Sequence, residues 1–279
     1  MVGIVFWSSL SVSQADELTS LQRALEVQYV MDTATDSDIG ARMRLLSEPL
    51  IGADYILNPA GEGREPDPDP IVRYDAFDCL TFVEEVYALA AAKHPNEIDT
   101  YRQLLRYGDQ PIDFENRHHF MASQWIPSAI EHGFFTDVTA EYGPTQLVIK
   151  DYDRVNWSNY QYRRSYIPLK EYPQGKHYLQ ILSIEGAIQN IDSVPEGTLI
   201  VVVRQNKPEH PVWVSHLGFL IHKEEKPFIR HATKMGDRLV RDDRLPWYFT
   251  HLRWFDNWPV IGVMLLAPNP VSLDELKSN

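Results

Sequence analysis

The sequence predicts an α+β protein, because helical patterns fill the first half of the chain and strand patterns fill the second. The first observation is a row of apolar residues at the spacing of one helix face: Leu18, Leu21, Leu25 and Tyr29. The second is the stretch 80–92, which contains neither glycine nor proline. The third is a series of short apolar or alternating runs after Val194, separated by turn residues.

The helix that carries this row is predicted to be followed by a second helix and a loop. The second helix is expected to begin near Asp36 or Ser37 and to end near Pro49. Three of its side chains are expected to turn inward: Ile39, Met43 and Leu46. Residues 59–70 repeat proline, which cannot hold a helix or a sheet ladder, and they are predicted to form a loop.

A third helix is predicted from about Cys79 to Ala92, with Asp78 in the position of an N-cap. Residues 96–135 are also predicted to be helical, with breaks at two prolines, Pro111 and Pro127. The stretch 140–190 is rich in aromatic residues and has poor periodicity, so we interpret it as an elaboration of strands and loops.

Strands are predicted in the last third of the chain: 199–203, 215–222, 228–233, 239–241 and 260–266. Residues 223–227 can form the turn between the second and third of these. No internal repeat is evident, and residues 16–270 are interpreted as one domain that is followed by a tail at 271–279.

The first fifteen residues resemble a truncated signal peptide. An apolar run fills positions 1–10, and Ser13-Gln14-Ala15 is a small-x-small cleavage site. The usual basic segment is missing, since the first cation is Arg23. The chain is therefore expected to be periplasmic or secreted, although a buried N-terminal strand is the other interpretation. No apolar run reaches about 18 residues, so no membrane insertion is expected.

Composition and charge limit the partners of the protein. The 279 residues include 26 basic and 39 acidic side chains, which give a net charge of −13. An acidic chain repels phosphate backbones and anionic lipid surfaces, so neither nucleic acid nor a membrane is expected to bind. A single cysteine, Cys79, excludes an intramolecular disulfide. The chain is expected to be a monomer.

Cys79 occupies the first turn of the third predicted helix, where free backbone N–H groups and the helix dipole favour a thiolate. Positions 82, 83, 86 and 90 place it on the apolar face of that helix. A nucleophilic cysteine needs a base and a group that orients the base, and His216 and His231 lie on consecutive strands. Gly218, two residues beyond His216, would let the cysteine helix approach. The alternative is that Cys79 and the histidines are ordinary core residues.

Together these residues resemble NlpC-type papain-like amidases and peptidases of bacterial cell walls. Residues 75–84, which read Asp-Ala-Phe-Asp-Cys-Leu-Thr-Phe-Val-Glu, resemble the cysteine motif of one branch, the N-acetylmuramoyl-L-alanine amidase-like family. Further segments resemble that family in the same order: 117–120, 125–126, 215–218 and 230–232. The chain departs from the superfamily at Gly197-Thr198, where Gly-Asp is usual, and it matches only loosely at 46–55.

The resemblance implies a papain-like fold, in which the nucleophile helix packs on a C-terminal antiparallel sheet. It also implies Cys79 as nucleophile, His216 as base and then acid, and His231 as the group that orients His216. The substrate would be a muropeptide, cut between N-acetylmuramic (or 1,6-anhydro-N-acetylmuramic) acid and L-alanine, with no cofactor. Residues that match these motifs or flank the histidines are the candidates for substrate binding: Asp78, Arg117, His119, Trp125, Ser215 and Arg230.

Three alternatives to this amidase remain open at this stage. A metal hydrolase is disfavoured, because the chain has no HExxH motif and the rings of adjacent His118 and His119 diverge in regular structure. A non-catalytic wall-binding module would use the aromatic residues near 150–170 to stack on sugars. An endopeptidase of the same superfamily would cut between D-glutamate and diaminopimelate.

Overall fold

The computed structural model describes residues 12–34, 37–153, 157, 172–207, 210 and 212–276. Eight α-helices lie within this part of the chain: α1 Val12–Thr33, α2 Ile39–Ser47, α3 Cys79–Ala91, α4 Ile98–Tyr107, α5 Ile126–Glu131, α6 Ile184–Asn190, α7 Leu245–Leu252 and α8 Leu273–Leu276. Short 3-10 segments occupy Glu48–Leu50, Pro95–Glu97, Phe114–Asn116, Thr139–Tyr142 and Ile191–Ser193, and one π-helical turn covers Met121–Trp125.

The described strands form one sheet: β1 Asp54–Tyr55, β2 Ala76–Phe77, β3 Phe135–Asp137, β4 Thr145–Tyr152, β5 Gly175–Leu182, β6 Leu199–Arg204, β7 Val214–Lys223, β8 Lys226–Thr233, β9 Leu239–Arg244 and β10 Val260–Pro268. Their order is β2-β1-β9-β8-β7-β6-β10-β5-β4, with β3 paired to β10. The β1–β2 pair is parallel, and the other pairs are antiparallel.

Each face of the sheet supports its own apolar core. Strand β7 alternates between them, so Leu217 and Phe219 join the core beneath α3, whereas Leu220 joins the core beneath α6 and α7. Phe82 of α3 stacks on Phe219 at 5.7 Å between ring centroids. Helix α3 therefore packs directly against the strand that carries His216.

The α+β prediction is confirmed, and each strand predicted after Val194 is present. Helix α2 begins two or three residues later than expected, because Asp38 caps it by accepting a 2.9 Å hydrogen bond from the amide of Ala41. Pro127 does not break a helix but lies in the first turn of α5, where a missing N–H costs nothing. Residues 1–11 of the predicted signal peptide, and most of 154–171, lie outside the described residues.

The apolar row of helix α1 faces away from the rest of the protein. The apolar row is exposed, from 53% at Leu18 to 71% at Tyr29, whereas Val27 and Met31 are buried. Arg23 donates to the carbonyl oxygen of Tyr74 at 3.2 Å. This contact fixes the other face of α1 against the protein, which the spacing of leucines alone could not reveal.

Two carboxylates inside helix α3 are held by arginines of α4. Glu85 accepts bonds of 2.6 and 2.9 Å from Arg102, and Glu84 accepts one of 2.7 Å from Arg106. All four side chains are buried. Because a buried charge without a partner is costly, these pairs keep α3 in place once the chain has folded.

We expect Arg102→Met to lower the free energy of unfolding by about 3–5 kcal/mol, because it leaves the Glu85 carboxylate buried and unpaired. Denaturant unfolding of the full chain measures this change. The matched control is Arg253→Met, which removes an exposed pair with Glu185 and should cost less than about 1 kcal/mol. Equal effects of the two substitutions would contradict the structural importance of the α3–α4 pairs.

Candidate active site

Cys79 is the first residue of helix α3. Asp78 caps this helix, since its Oδ1 accepts from the amides of Leu80 and Thr81 at 3.1 and 2.8 Å. The other carboxylate oxygen accepts from the amide of Asn58 at 3.1 Å. The cap thereby joins the start of the helix to the segment after β1, and it confirms the predicted position of Cys79 on its helix.

The surroundings of Cys79 do not favour a thiolate, in contrast to the expectation from the helix N-terminus. The residue keeps part of its surface exposed. Nevertheless, burial of the sulfur and the neighbouring Asp78 carboxylate raise the pKa of the Cys79 thiol to about 12. Hydrogen bonds from backbone groups, including that of Leu217, act in the opposite direction. Desolvation therefore outweighs the helix terminus, and the resting group is a thiol.

His216, His231 and Asp243 form a row of hydrogen bonds across three strands. His216 Nε2 lies 2.8 Å from His231 Nδ1, and His231 Nε2 lies 3.1 Å from Asp243 Oδ2. Arg241 Nη2 donates to the same Asp243 oxygen at 2.9 Å. The backbone of Leu217, the residue that follows His216, makes a hydrogen bond to the Cys79 thiol, which brings the start of β7 to the N-terminus of α3.

The acceptor at the end of this row fixes the proton positions. A carboxylate only accepts, so His231 carries its proton on Nε2 and presents Nδ1 as an acceptor. His216 then donates from Nε2, which leaves its own Nδ1 as a free base. The row therefore ends, on the β7 side, in a basic nitrogen, His216 Nδ1.

The pKa directions agree with neutral rings. Burial, followed by the positive charges of His231, Lys234 and Arg204, places the pKa of His216 well below its usual value. Burial also lowers the pKa of His231, despite the neighbouring Asp243. For Asp243, burial alone would raise the pKa, but His231 and Arg241 outweigh it and the net shift is downward. The resting site is thus a neutral thiol, two neutral imidazoles and an ionised carboxylate.

Tyr248 of α7 covers the row from the second core. Its ring centroid lies 5.3 Å from that of His231 and 6.3 Å from that of His216. Gly218 makes room for His231, not for the cysteine helix as expected. A Cβ at position 218 would lie 2.7 Å from the Cβ of His231 and 2.7 Å from the carbonyl oxygen of Arg230.

Arg117 is occupied by partners within the protein. It donates at 2.8 Å to Glu62 and 2.6 Å to Asp67, and also to the carbonyl oxygen of Ala60. These contacts fold the loop 59–70, so its guanidinium already has the carboxylates that a substrate would supply. The prediction that Arg117 binds a substrate carboxylate does not fit this arrangement.

Arg230 is fully buried and lies away from the candidate site. Its guanidinium pairs with Asp242 at 2.7 Å and with Glu48 at 2.7 Å. It also donates to Ser47 Oγ at 2.9 Å, which ties the end of α2 to the sheet. Arg230 and His231 are consecutive residues of a strand, so their side chains point to opposite faces of the sheet. Being next to His231 in sequence therefore does not bring Arg230 to the candidate site. A substrate contact by Arg230 does not fit its burial.

Two further candidates for substrate binding make internal contacts. Trp125 is fully buried, and its indole Nε1 donates to Glu84 at 3.1 Å. His119 Nε2 lies 2.7 Å from the carbonyl oxygen of Phe114, with the two rings 4.5 Å apart. Asp78 caps the cysteine helix. Ser215, the last of the candidates, accepts a 2.9 Å hydrogen bond from Nε of Arg204.

Within the described residues, no cluster of three or more histidine, cysteine or acidic side chains could hold a metal ion. The same part of the chain contains no helix with the length and apolarity needed to cross a bilayer.

Fold and site thus describe an α+β protein with a thiol at a helix N-terminus and a hydrogen-bonded row of two histidines and an aspartate. The row begins at the residue before Leu217, whose backbone contacts the thiol. The chain belongs to the N-acetylmuramoyl-L-alanine amidase-like family, which matches residues 45–253. That range contains Cys79, His216, His231 and Asp243. No curated protein matches the chain.

Solved structures share the fold at low sequence identity. A Legionella pneumophila protein, LPG0564, is 20% identical with a TM-score of 0.75, over 91% of this chain and 96% of that one. An N-acetylmuramoyl-L-alanine amidase from Bacteroides uniformis is 20% identical with a TM-score of 0.66, over 84% of this chain and all of that one. At such identities the likeness concerns the fold.

We expect Asp243→Asn to disturb the ring tautomers of both histidines, because a carboxamide can donate as well as accept. Nitrogen-15 NMR of the histidine rings should give one tautomer at each position in the wild type and a mixture in the variant. The control, Asp242→Asn, lies on the other face of β9 and should leave both tautomers unchanged. Unaltered His216 and His231 spectra in Asp243→Asn would contradict the hydrogen-bonded row.

We expect iodoacetamide to alkylate Cys79 more slowly than a free thiol near neutral pH. A raised pKa means that the reactive thiolate is scarce until the solution becomes alkaline. Since Cys79 is the sole cysteine, intact mass reports its alkylation rate directly. The rate should rise continuously between about pH 6 and 10. A plateau already at neutral pH would instead indicate a thiolate–imidazolium pair.

Proposed function

We propose that this protein is a cysteine amidase that hydrolyses the amide between the lactyl group of N-acetylmuramic acid, or its 1,6-anhydro form, and L-alanine in peptidoglycan fragments. The proposal is carried by the Asp243–His231–His216 row and by the contact of the Cys79 thiol with the backbone of Leu217, the residue after His216, all within the family match. Membership in an amidase-like family supports the type of bond, and the names of structural neighbours agree with it.

In the first half of the proposed reaction, His216 Nδ1 accepts the Cys79 proton as the sulfur attacks the amide carbonyl carbon. Because burial disfavours a free thiolate, proton transfer accompanies the attack. The carbonyl oxygen becomes an oxyanion, and the N–H of Cys79, one of the first amides of α3 without an intrahelical acceptor, is a suitable donor to it. The amide C–N bond then breaks as His216 returns the proton to the departing nitrogen.

The second half regenerates the site. The sugar half is now a thioester on Cys79, and the amine of the peptide half has left. His216 removes a proton from water as the water oxygen attacks the thioester carbonyl. The C–S bond breaks, the thiol recovers its proton, and a free lactyl carboxylate is released. His231 and Asp243 keep His216 in one tautomer throughout, which makes them positioning residues.

We also propose an NlpC-type papain-like arrangement, a periplasmic or secreted location and a monomeric enzyme. The packing of α3 against β7 and β8 supports the first of these. The second rests on the apolar run and the Ser13–Ala15 sequence alone.

We expect mass spectrometry of muropeptides digested by the purified full chain to yield a free L-alanyl peptide and the intact sugar acid. Cys79→Ala and Cys79→Ser should form neither product, because no other group supplies the covalent step. Cleavage between D-glutamate and diaminopimelate would replace the proposed bond with that of an endopeptidase. Binding without cleavage by the wild type would indicate a wall-fragment-binding protein.

The two histidines should differ in their tolerance of substitution. His216→Ala is expected to lose activity about as completely as Cys79→Ala, because base and nucleophile act as a unit. His231→Asn or His231→Gln should retain more activity than His231→Ala, since an amide oxygen can accept the bond from His216. Full activity of His231→Ala would remove His231 from the mechanism.

A further inference from the structure

Arg204, the last residue of β6, has a guanidinium that the surrounding residues hold in one orientation. Its Nε donates to Ser215 Oγ at 2.9 Å, and its Nη1 donates to the carbonyl oxygen of Trp258 at 2.6 Å. The guanidinium carbon lies 4.5 Å from the centroid of the Phe255 ring and 5.4 Å from that of Trp258. Two hydrogen bonds and two ring contacts thus fix the position of this cation.

Among the residues that the structure describes, none forms an ion pair with Arg204 through a carboxylate. Buried or half-buried arginines elsewhere in the fold have such partners: Arg102, Arg106, Arg117 and Arg230. Arg42, another partly buried arginine without an ion pair, uses its donors on four backbone carbonyl oxygens, whereas Arg204 donates to one backbone carbonyl oxygen and one hydroxyl. Its partial burial makes an approaching carboxylate a stronger partner than it would be at an open surface.

The location of Arg204 relates it to the reaction. Ser215, which binds its Nε, precedes His216, and the β6–β7 register places Val202 opposite His216. The charge of Arg204 is close enough to act on both His216 and Tyr248. In the proposed reaction His216 gives its proton to the departing nitrogen, so the peptide half of the substrate must lie on the His216 side. The sugar half is attached to the carbonyl carbon and lies on the other side of Cys79.

We propose that Arg204 binds the peptide half of the substrate. Its guanidinium pairs with a carboxylate of the residues that follow L-alanine. This inference rests on the proposed function for the identity of its ligand. It replaces Arg117 and Arg230, whose charges are already paired with carboxylates, with a cation that has no carboxylate partner among the described residues.

The remaining donors suit a carboxylate. A guanidinium has five N–H groups, and the described contacts use one on Nε and one on Nη1. Three N–H groups on Nη1 and Nη2 remain, in the planar fork that binds both oxygens of a carboxylate. Lysine could keep the charge at this position but could not reproduce the fork.

The test is the affinity of the full chain for two ligands that lack the scissile bond: L-alanyl-D-glutamate and its bis-amide. Isothermal titration calorimetry of the wild type should give a dissociation constant about tenfold lower for the acid than for the bis-amide. Arg204→Gln should abolish this preference, because it weakens the binding of the acid and not that of the bis-amide. Arg204→Lys should keep part of the preference. Arg253→Gln, which removes a nearby exposed cation, is the matched control and should keep the full preference.

If Arg204→Gln lowers the affinity for both ligands equally, the arginine has a structural role and the proposal is overturned. The same holds if the wild type binds both ligands alike, or if Arg204→Gln keeps the preference. Amidase activity is measured separately on the muropeptide. Cleavage without carboxylate preference refutes the Arg204 site alone, whereas carboxylate preference without cleavage refutes the proposed amidase and leaves the binding site standing.

Discussion

The chemistry of this protein depends on the register of three adjacent strands. His216, His231 and Asp243 belong to β7, β8 and β9, and their side chains meet only because all three point to the same face of the sheet. A shift of one residue in any of these strands would turn its side chains to the opposite face. The register itself contains an irregularity, since Val202 pairs with His216 but Val203 pairs with Val214. Ser215 is therefore the extra residue of a bulge, a feature that re-aims neighbouring side chains.

The proposed nucleophile, Cys79, depends on a second constraint, which is the burial of helix α3. Its apolar side chains fill the first core, and its two interior carboxylates are paired with arginines of α4. The same burial that fixes Cys79 also raises the pKa of its thiol. In the proposed mechanism, a low-polarity site in which both thiol and imidazole are neutral links the loss of the sulfur proton to the presence of a carbonyl that the sulfur can attack. When no substrate carbonyl is present, the raised pKa keeps the sulfur protonated.

Much of this arrangement could be predicted from the sequence. The helix cap at Asp78 and the positions of Cys79, His216 and His231 follow from local patterns, which act over a few residues. Asp243 was missed because the predicted strand stopped at Arg241, whereas β9 continues to Arg244. A run of charged residues is typical of a solvated segment, and only the pairing with β8 shows that Asp243 faces the histidines.

The arginines show most clearly what cannot be predicted from local sequence. Arg117 pairs with residues about fifty positions away, and Arg230 pairs with Glu48, 182 positions away. Local sequence does not reveal such distant partners. An arginine that is paired with a carboxylate in the fold therefore cannot be distinguished, from sequence, from one that is available to a ligand. Arg204 differs from Arg117 and Arg230 in the absence of a carboxylate partner among the described residues, a difference that the tertiary structure alone creates.

The central claim is that Cys79 carries the sugar half of the substrate during the reaction. Rapid acid quench of the full chain with N-acetylmuramoyl-peptide, followed by digestion and mass spectrometry of the peptide that contains Cys79, measures this directly. The account predicts an adduct whose mass equals the N-acetylmuramoyl group without any amino acid. An unmodified Cys79 during rapid turnover, or an adduct that includes L-alanine and D-glutamate, would contradict it.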